Sequence, residues 1–420
     1  MGNVMNKDTV LYLSAITYNY YQEEFWESLR PGLGEAGNFV LDMGKKFRPN
    51  RSISRNGEWS IPFPQKVPPM FKAPAYDPNF NKSFTEITNA RAQDIKQCIN
   101  EHNHKFAVMY SGGIDSTLIM SALIKNLTAQ ETQNIAVCMN GQSLIENPYF
   151  YNTFIKDKFK LLDSSSNKYD DLIEMGYRPI TGDEGDSIFG TMMGHDLMQN
   201  YPFYLDKVSA ESRSYLESVR GKVTTTDVHW TKYEDLIIQH LGLEGSPGFG
   251  KSLYEKLSKN IATATVPIHS LHDFYWWFIF NIKYVSCATR ITVMLNDRLH
   301  CKDIFENWAL NWFNTGDYNR WSMVNNNNGE KIELSVGTYK MAARKYIYDL
   351  DKNDWYFHFK LKIGSLGPNV VFNQDVSNVP VNRRPNARFG LDWEYNTLYI
   401  DDADTQDYIR YHLTNFRRDW

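Results

Sequence analysis

Residues 111–116 read Ser-Gly-Gly-Ile-Asp-Ser, between an apolar strand-like run and the apolar start of a helix, and few folds accommodate that combination. The preceding run Phe106-Ala107-Val108-Met109-Tyr110 has the length and β-propensity of a buried strand. From Thr117 through Asn126, Leu118, Ile119, Ala122, Leu123 and Ile124 fall on roughly one helical face. Gly112 and Gly113 let the backbone turn tightly and approach an anion closely. Amides at the helix start, with the positive end of its dipole, then face that anion, so the segment reads as a phosphate cradle. Ser111 and Ser116 add hydroxyl donors. Asp115 would repel phosphate unless a cation lay between them, which marks it as a Mg²⁺ ligand.

A second glycine-rich segment, Thr181-Gly182-Asp183-Glu184-Gly185-Asp186-Ser187-Ile188-Phe189-Gly190, follows the short strand candidate Tyr177-Arg178-Pro179-Ile180. Its clustered acids suit divalent metal binding and acid/base work and make poor core filling. From 84 to 190 the pattern runs helix, strand, phosphate loop, helix, strand (Ile135–Met139), helix near 149–159, strand, second loop. That alternation predicts an α/β fold with a doubly wound parallel sheet and ligand at the carboxyl ends of its strands.

The pair of loops, in this order, resembles the synthetase domain of asparagine synthetases, within the wider class of PP-loop ATP pyrophosphatases. Upstream, Phe84-Thr85-Glu86-Ile87 opens a helix through Ile99 that leads into the first strand. Downstream, Tyr339-Lys340, Ala343-Arg344 and Lys360-Leu361-Lys362-Ile363-Gly364 resemble the family's late Lys…Arg and Lys-x-Gly-Phe elements. The likeness spans residues 84–364. It implies a PP-loop (adenine nucleotide alpha hydrolase-like) sheet over 84–190 and a mainly helical portion over 191–364. An N-terminal extension and Pro-rich linker (1–83) would precede them, and a C-terminal tail (365–420) would follow.

The resemblance also implies a reaction. A substrate carboxylate attacks the α-phosphorus of ATP and releases pyrophosphate, and an amine then displaces AMP from the acyl-adenylate to give an amide. Charge crowding between two anions dominates such a barrier, so metals and cations supply most of the stabilisation. By resemblance, ATP contacts come from Ser111, Gly112, Gly113, Asp115, Ser116, Thr181 and Gly182, with Asp115 and Asp186 holding Mg²⁺. Asp183 stands near the reacting centre, and Lys362, helped by Lys340, neutralises developing phosphate charge. Ser187 replaces the acid usual after the metal-binding Asp, and the family's Glu-x-Arg-x-Pro-Phe-Leu-Asp element is eroded to Leu299-His300-Cys301-Lys302-Asp303-Ile304-Phe305-Glu306. These departures leave the identity of the carboxylate open, aspartate included. Many members carry a glutaminase domain with an exposed N-terminal cysteine, where this chain has Gly2. The nitrogen is therefore expected from free ammonia, an amine substrate or a separate donor subunit, and a homodimer is among the assemblies considered.

The formal net charge of -4 gives no electrostatic pull toward nucleic acid or anionic membrane. The four cysteines, Cys98, Cys138, Cys287 and Cys301, have no CxxC or metal-ligand spacing and read as reduced thiols of a cytoplasmic protein. The start of the sequence lacks signal-peptide and myristoylation patterns, and the apolar run 274–282 is too short to span a bilayer. Its aromatics, Phe274, Tyr275, Trp276, Trp277, Phe278 and Phe280, read as helix-packing core. Elsewhere the pattern predicts a strand at 10–15, helices at 18–29, 210–219, 233–241, 253–261 and 272–295, and a proline-dense linker at 62–78.

One rival needs weighing. Gly245-Ser246-Pro247-Gly248-Phe249-Gly250-Lys251-Ser252 satisfies the Walker A pattern, and Leu398-Tyr399-Ile400-Asp401-Asp402 reads as a Walker B strand. A P-loop needs a buried strand leading into it, whereas residues 233–241 have amphipathic helical spacing, which predicts a helix-to-helix turn. A Walker-type NTPase and a non-catalytic nucleotide-binding relative are therefore the alternatives to the ligase. Gly32-Leu33-Gly34-Glu35-Ala36-Gly37 matches GxGxxG but follows a polar stretch, and the pairs His269/His272 and His102/His104 have no third ligand at suitable spacing.

Overall fold

The computed structural model describes residues 54–56, 71–139, 146–164, 169–190, 228–242, 247–285, 310–325 and 338–359, with shorter pieces at 28, 30–32, 38–39, 42, 143, 332–333, 389–392 and 397–400. The elements expected at 10–15 and 210–219, the helix expected at 18–29 apart from Ser28, the segment 299–306 and Lys362 lie outside the described residues. The chain divides into two compact units. One comprises Phe84–Gly182, Leu295–Trp312 and Ala342–Trp420; the other comprises Met1–Ser83, Asp183–Met294 and Phe313–Met341.

The first unit is α/β. Helix α1 (Phe84–His102) leads to β1 (Lys105–Met109), helix α2 (Ile114–Asn126) and β2 (Ile135–Met139). A short helical segment, Pro148–Phe150 running on as the π turn Tyr151–Ile155, connects to β3 (Lys160–Asp163). Helix Tyr169–Glu174 then leads to β4 (Tyr177–Thr181), and β5 (Leu310–Asn311) completes the sheet. All five strands are parallel, in the order β3-β2-β1-β4-β5. Val108 of β1 registers with Val137 on one side and Ile180 on the other, which fixes the centre of the sheet. Every residue of β2 is buried, as a strand covered on both faces requires, and each large side chain there contributes about 1.5–3 kcal/mol. The sheet is thus α/β and all-parallel, compatible with double winding.

The structure departs from the periodicity at two places. The helix expected near 149–159 is shorter and partly π, and β3 follows directly; its Lys-Leu-Leu-Asp sequence is too short to signal a strand. Helix α2 was expected to bury one face, yet every residue from 116 to 123 is buried. Its polar members bond back to the backbone: Ser121 Oγ donates to the Thr117 carbonyl at 2.7 Å and Thr117 Oγ1 to the Gly112 carbonyl at 3.3 Å.

The second unit is helical. Helix Glu234–Gly242 answers to the expectation at 233–241, and Phe249–Ala262 encloses the one at 253–261. Helix Leu271–Trp277 starts on a Ser270/Asp273 capping box and runs into the π segment Phe278–Lys283, with Tyr284 and Val285 α-helical again; positions 286–295 of the helix expected at 272–295 lie outside the described residues. Leu241, Leu253, Leu257, Phe274, Tyr275 and Phe278 form its core, and the aromatic run packs inside as expected. Among the described residues no helix is long and apolar enough to cross a membrane.

Candidate functional site

In the α/β unit the strand order reverses between β1 and β4, and each of the two glycine-rich loops leaves the carboxyl end of one of these neighbouring strands. The first loop is locked by its own hydroxyls. Ser116 Oγ accepts from the Ser111 amide at 3.1 Å and donates to the Gly113 carbonyl at 3.1 Å, and the two serine hydroxyls lie 3.2 Å apart. Gly113 is the N-cap of α2 at φ -71, ψ 166, and no side chain caps the helix. The first-turn amides of a buried helix are thereby aimed out of the loop with no intramolecular side-chain cap, which suits an anion. Gly112 has φ +74, and a β-carbon there would run into the Ser143 carbonyl and the Glu146 side chain. Asp115 lies in the first turn of α2, half-buried.

The second loop meets the first at Gly182. A β-carbon on Gly182 would lie 3.1 Å from Asp115 Cβ and 3.2 Å from Ile119 Cδ1. Thr181, expected to line a nucleotide, is buried, and its hydroxyl donates to Asn311 Oδ1 at 3.0 Å. Its carbonyl accepts from the Trp312 amide at 2.9 Å, so Thr181 ties β5 to β4 through both its hydroxyl and its backbone.

Beneath the first loop lies a buried polar layer that sequence reading did not foresee. Tyr356 Oη donates within 3.2 Å of the Gly112 carbonyl and of Thr117 Oγ1. Arg344, expected in a family Lys…Arg element, is buried and donates to the carbonyls of Tyr356 and Phe357 at 3.0 and 2.7 Å. Burial pushes the phenols of Tyr110 and Tyr356 well above their ordinary range, so both stay neutral.

The acidic turn belongs to the helical unit, and its three acids part company there. Asp183 is half-buried. Glu184, grouped in the sequence with metal-suited acids, is fully buried instead and interacts electrostatically with Arg55. Arg55 stacks 3.6 Å over the Tyr284 ring and donates to the Phe71 carbonyl at 2.6 Å and Asn319 Oδ1 at 2.8 Å. Burial pulls its pKa down to about 10, against the pull of Tyr284 and Glu184. Asp186 stands in the first turn of helix Gly185–Phe189, with one oxygen 2.8 Å from Lys340 Nζ and the other 3.2 Å from Lys283 Nζ. Lys340 was expected as a phosphate-neutralising group, and here it pairs with the expected metal ligand. Lys283 was missed, because a single lysine closing an apolar run reads as a helix end.

Among the described residues no group of three or more His, Cys, Asp or Glu side chains could hold a metal. The Walker-like segment is preceded by helix Glu234–Gly242, and Gly250 packs against the Ile238 carbonyl and Gly242, so these glycines serve a helix crossing. The Walker B candidate overlaps strand Thr397–Ile400, which pairs antiparallel with Phe389–Asp392 outside the parallel sheet. No family model, curated protein or solved structure matches this chain.

Proposed function

We propose that this chain is an ATP-dependent, AMP-forming carbon–nitrogen ligase of the asparagine synthetase-like, PP-loop type. It would adenylate a carboxylate and pass the acyl group to ammonia or an amine. The observation that carries this reading is the approach of Gly182 to Asp115 where the strand order reverses, because it joins two motif loops distant in the sequence.

The loop 111–116 suits the polyphosphate through its backbone amides and the Ser111 hydroxyl, while Ser116, whose hydroxyl donates to the Gly113 carbonyl, braces the loop. Asp115 fits Mg²⁺, which takes one or two carboxylates and completes its shell with water and phosphate oxygens. The resemblance would call on Asp186 for the metal as well; within its own unit the Asp186 oxygens face Lys340 and Lys283. When bound, Mg²⁺ offsets the charge gathering on the polyphosphate. Asp183 is retained as a residue near the reacting centre, and Lys362 as a further cation.

ATP–pyrophosphate exchange across a panel of carboxylic acids, aspartate first, tests the proposal. Exchange that depends on one acid and falls at least a hundredfold in Asp115→Ala and in Asp186→Ala supports it. Exchange that survives both substitutions ends it, as does turnover to ADP and phosphate with no AMP.

A further inference from the structure

Three carbonyls at the first glycine-rich loop accept hydrogen bonds from buried hydroxyls of the same unit. Ser143 Oγ donates to the Tyr110 carbonyl at 2.7 Å, Ser116 Oγ to the Gly113 carbonyl at 3.1 Å, and Thr117 Oγ1 to the Gly112 carbonyl at 3.3 Å. The Gly112 carbonyl has a second donor. Tyr356, 244 positions away in helix Asp354–Phe359, places its Oη 3.2 Å from that oxygen and 3.2 Å from Thr117 Oγ1. Arg344 holds the backbone of this helix through the carbonyls of Tyr356 and Phe357. A carbonyl facing an anion repels it, whereas an N–H attracts it, so a phosphate cradle needs its carbonyls turned away. A trans peptide is planar, and its N–H points opposite to its carbonyl. With the Gly112 oxygen held inward, the Gly113 N–H turns to the exposed side, where it meets Ser111 Oγ at 3.3 Å. That bond is long, and a phosphate oxygen can replace it.

The same peptide is the least constrained one in the loop. It lies between two glycines, so neither flanking residue has a side chain to oppose its turning over. A flipped peptide would present its carbonyl to the anion in place of the N–H. We infer that Tyr356 is a positioning residue for polyphosphate binding: together with Thr117 it locks the Gly112–Gly113 peptide with the N–H facing out. The inference rests on the nucleotide reading above and adds to it a residue outside both glycine-rich loops. Tyr356 acts through the peptide and touches no substrate. Removing its hydroxyl leaves the Gly112 carbonyl to Thr117 alone, and the flipped form gains population. Apparent affinity then falls by the fraction of chains still in the competent form. Chains that do bind are unaltered in their chemistry, so the loss belongs to KM and not to kcat.

Calorimetric titration of the full chain with magnesium pyrophosphate tests this without turnover. Tyr356→Phe should bind about tenfold more weakly than wild type, the scale of one hydrogen bond. In ATP–pyrophosphate exchange its KM for pyrophosphate should rise about tenfold with kcat within about twofold. Thr117→Val should weaken binding likewise, and Thr117→Ser, which keeps the hydroxyl, should restore it. This second pair decides the matter if Tyr356→Phe does not fold by circular dichroism. Wild-type affinity in both Tyr356→Phe and Thr117→Val overturns the lock and leaves the nucleotide reading standing. A fall in kcat at unchanged KM, or a Thr117→Ser as weak as Thr117→Val, overturns it equally. A folded wild type that binds neither magnesium pyrophosphate nor MgATP overturns both.

Discussion

Gly182 closes the second loop against Asp115: a β-carbon there would stand 3.1 Å from Asp115 Cβ, so a methyl group would have to push its neighbour back by a few tenths of an ångström. The backbone at Gly182 is not left-handed, so a substitution is opposed by the neighbour alone. Gly182→Ala should therefore cost little stability, about 1 kcal/mol, while shifting Asp115 enough to weaken MgATP binding about tenfold. Ile119→Val removes the Cδ1 that lies 3.2 Å away, and the double variant should be less destabilised than the sum of the singles. Denaturant melts and nucleotide titrations on the four proteins measure both effects. Full additivity in stability with unchanged binding would refute the contact.

Gly112 is constrained twice over. At φ +74 an alanine is strained, and its β-carbon would meet the Ser143 carbonyl and the Glu146 side chain. Gly112→Ala should lower stability by about 2–4 kcal/mol, more than Gly182→Ala. Urea unfolding followed by tryptophan fluorescence gives the comparison, and equal midpoints for the two variants would contradict it.

The strands that frame the site were legible because they are apolar runs bounded by turn residues. Ile135–Met139 coincides with the observed element, and Tyr177–Thr181 extends the expected strand by one residue. Strand β3 was not legible: only Leu161 and Leu162 carry a signal between charged ends. The two loops announced themselves through glycine and acid spacing, but spacing cannot say which acid of a tight turn points inward. Glu184 goes into the interior near Arg55, and Asp186 goes to two lysines. Lys283 lies 97 positions from Asp186, and no local pattern links them. Tyr356 and Arg344, which hold the layer under the first loop, are likewise tied to it only by tertiary packing.

Asp351 makes the pH dependence of stability testable. Its carboxyl is buried, one oxygen accepts from the Asn353 amide at 3.0 Å, and the other has no hydrogen-bond partner among the described residues. Burial raises its pKa to about 6, against the smaller opposing effects of Asn353 and Lys352. A folded-state pKa above the unfolded value of about 3.9 means the native protein holds the proton more tightly. This contribution is therefore complete below about pH 4 and is lost as the pH rises through 6, a change of about 2–3 kcal/mol. Asp351→Asn keeps an acceptor for Asn353 and cannot ionise. Its stability relative to wild type should rise between pH 4.5 and 7.5, and a relative fall over that interval would show the sign to be wrong.

The helix crossing at Gly250 separates a structural glycine from a phosphate-binding one. Lys251 is exposed, whereas Gly250 lies against the Ile238 carbonyl and Gly242 of the preceding helix. A β-carbon at 250 would come 2.7 Å from Gly242 Cα, so Gly250→Ala must part the two helices and should cost about 1–3 kcal/mol. Lys251→Ala touches no such contact; its stability should stay within about 0.5 kcal/mol of wild type, and its pyrophosphate exchange should be unchanged. A Walker-type site predicts the reverse, because its lysine holds the transferred phosphate while the fold tolerates its loss. Loss of nucleotide turnover in Lys251→Ala, with full turnover in Asp115→Ala, would move the chemistry to this segment and away from the parallel sheet.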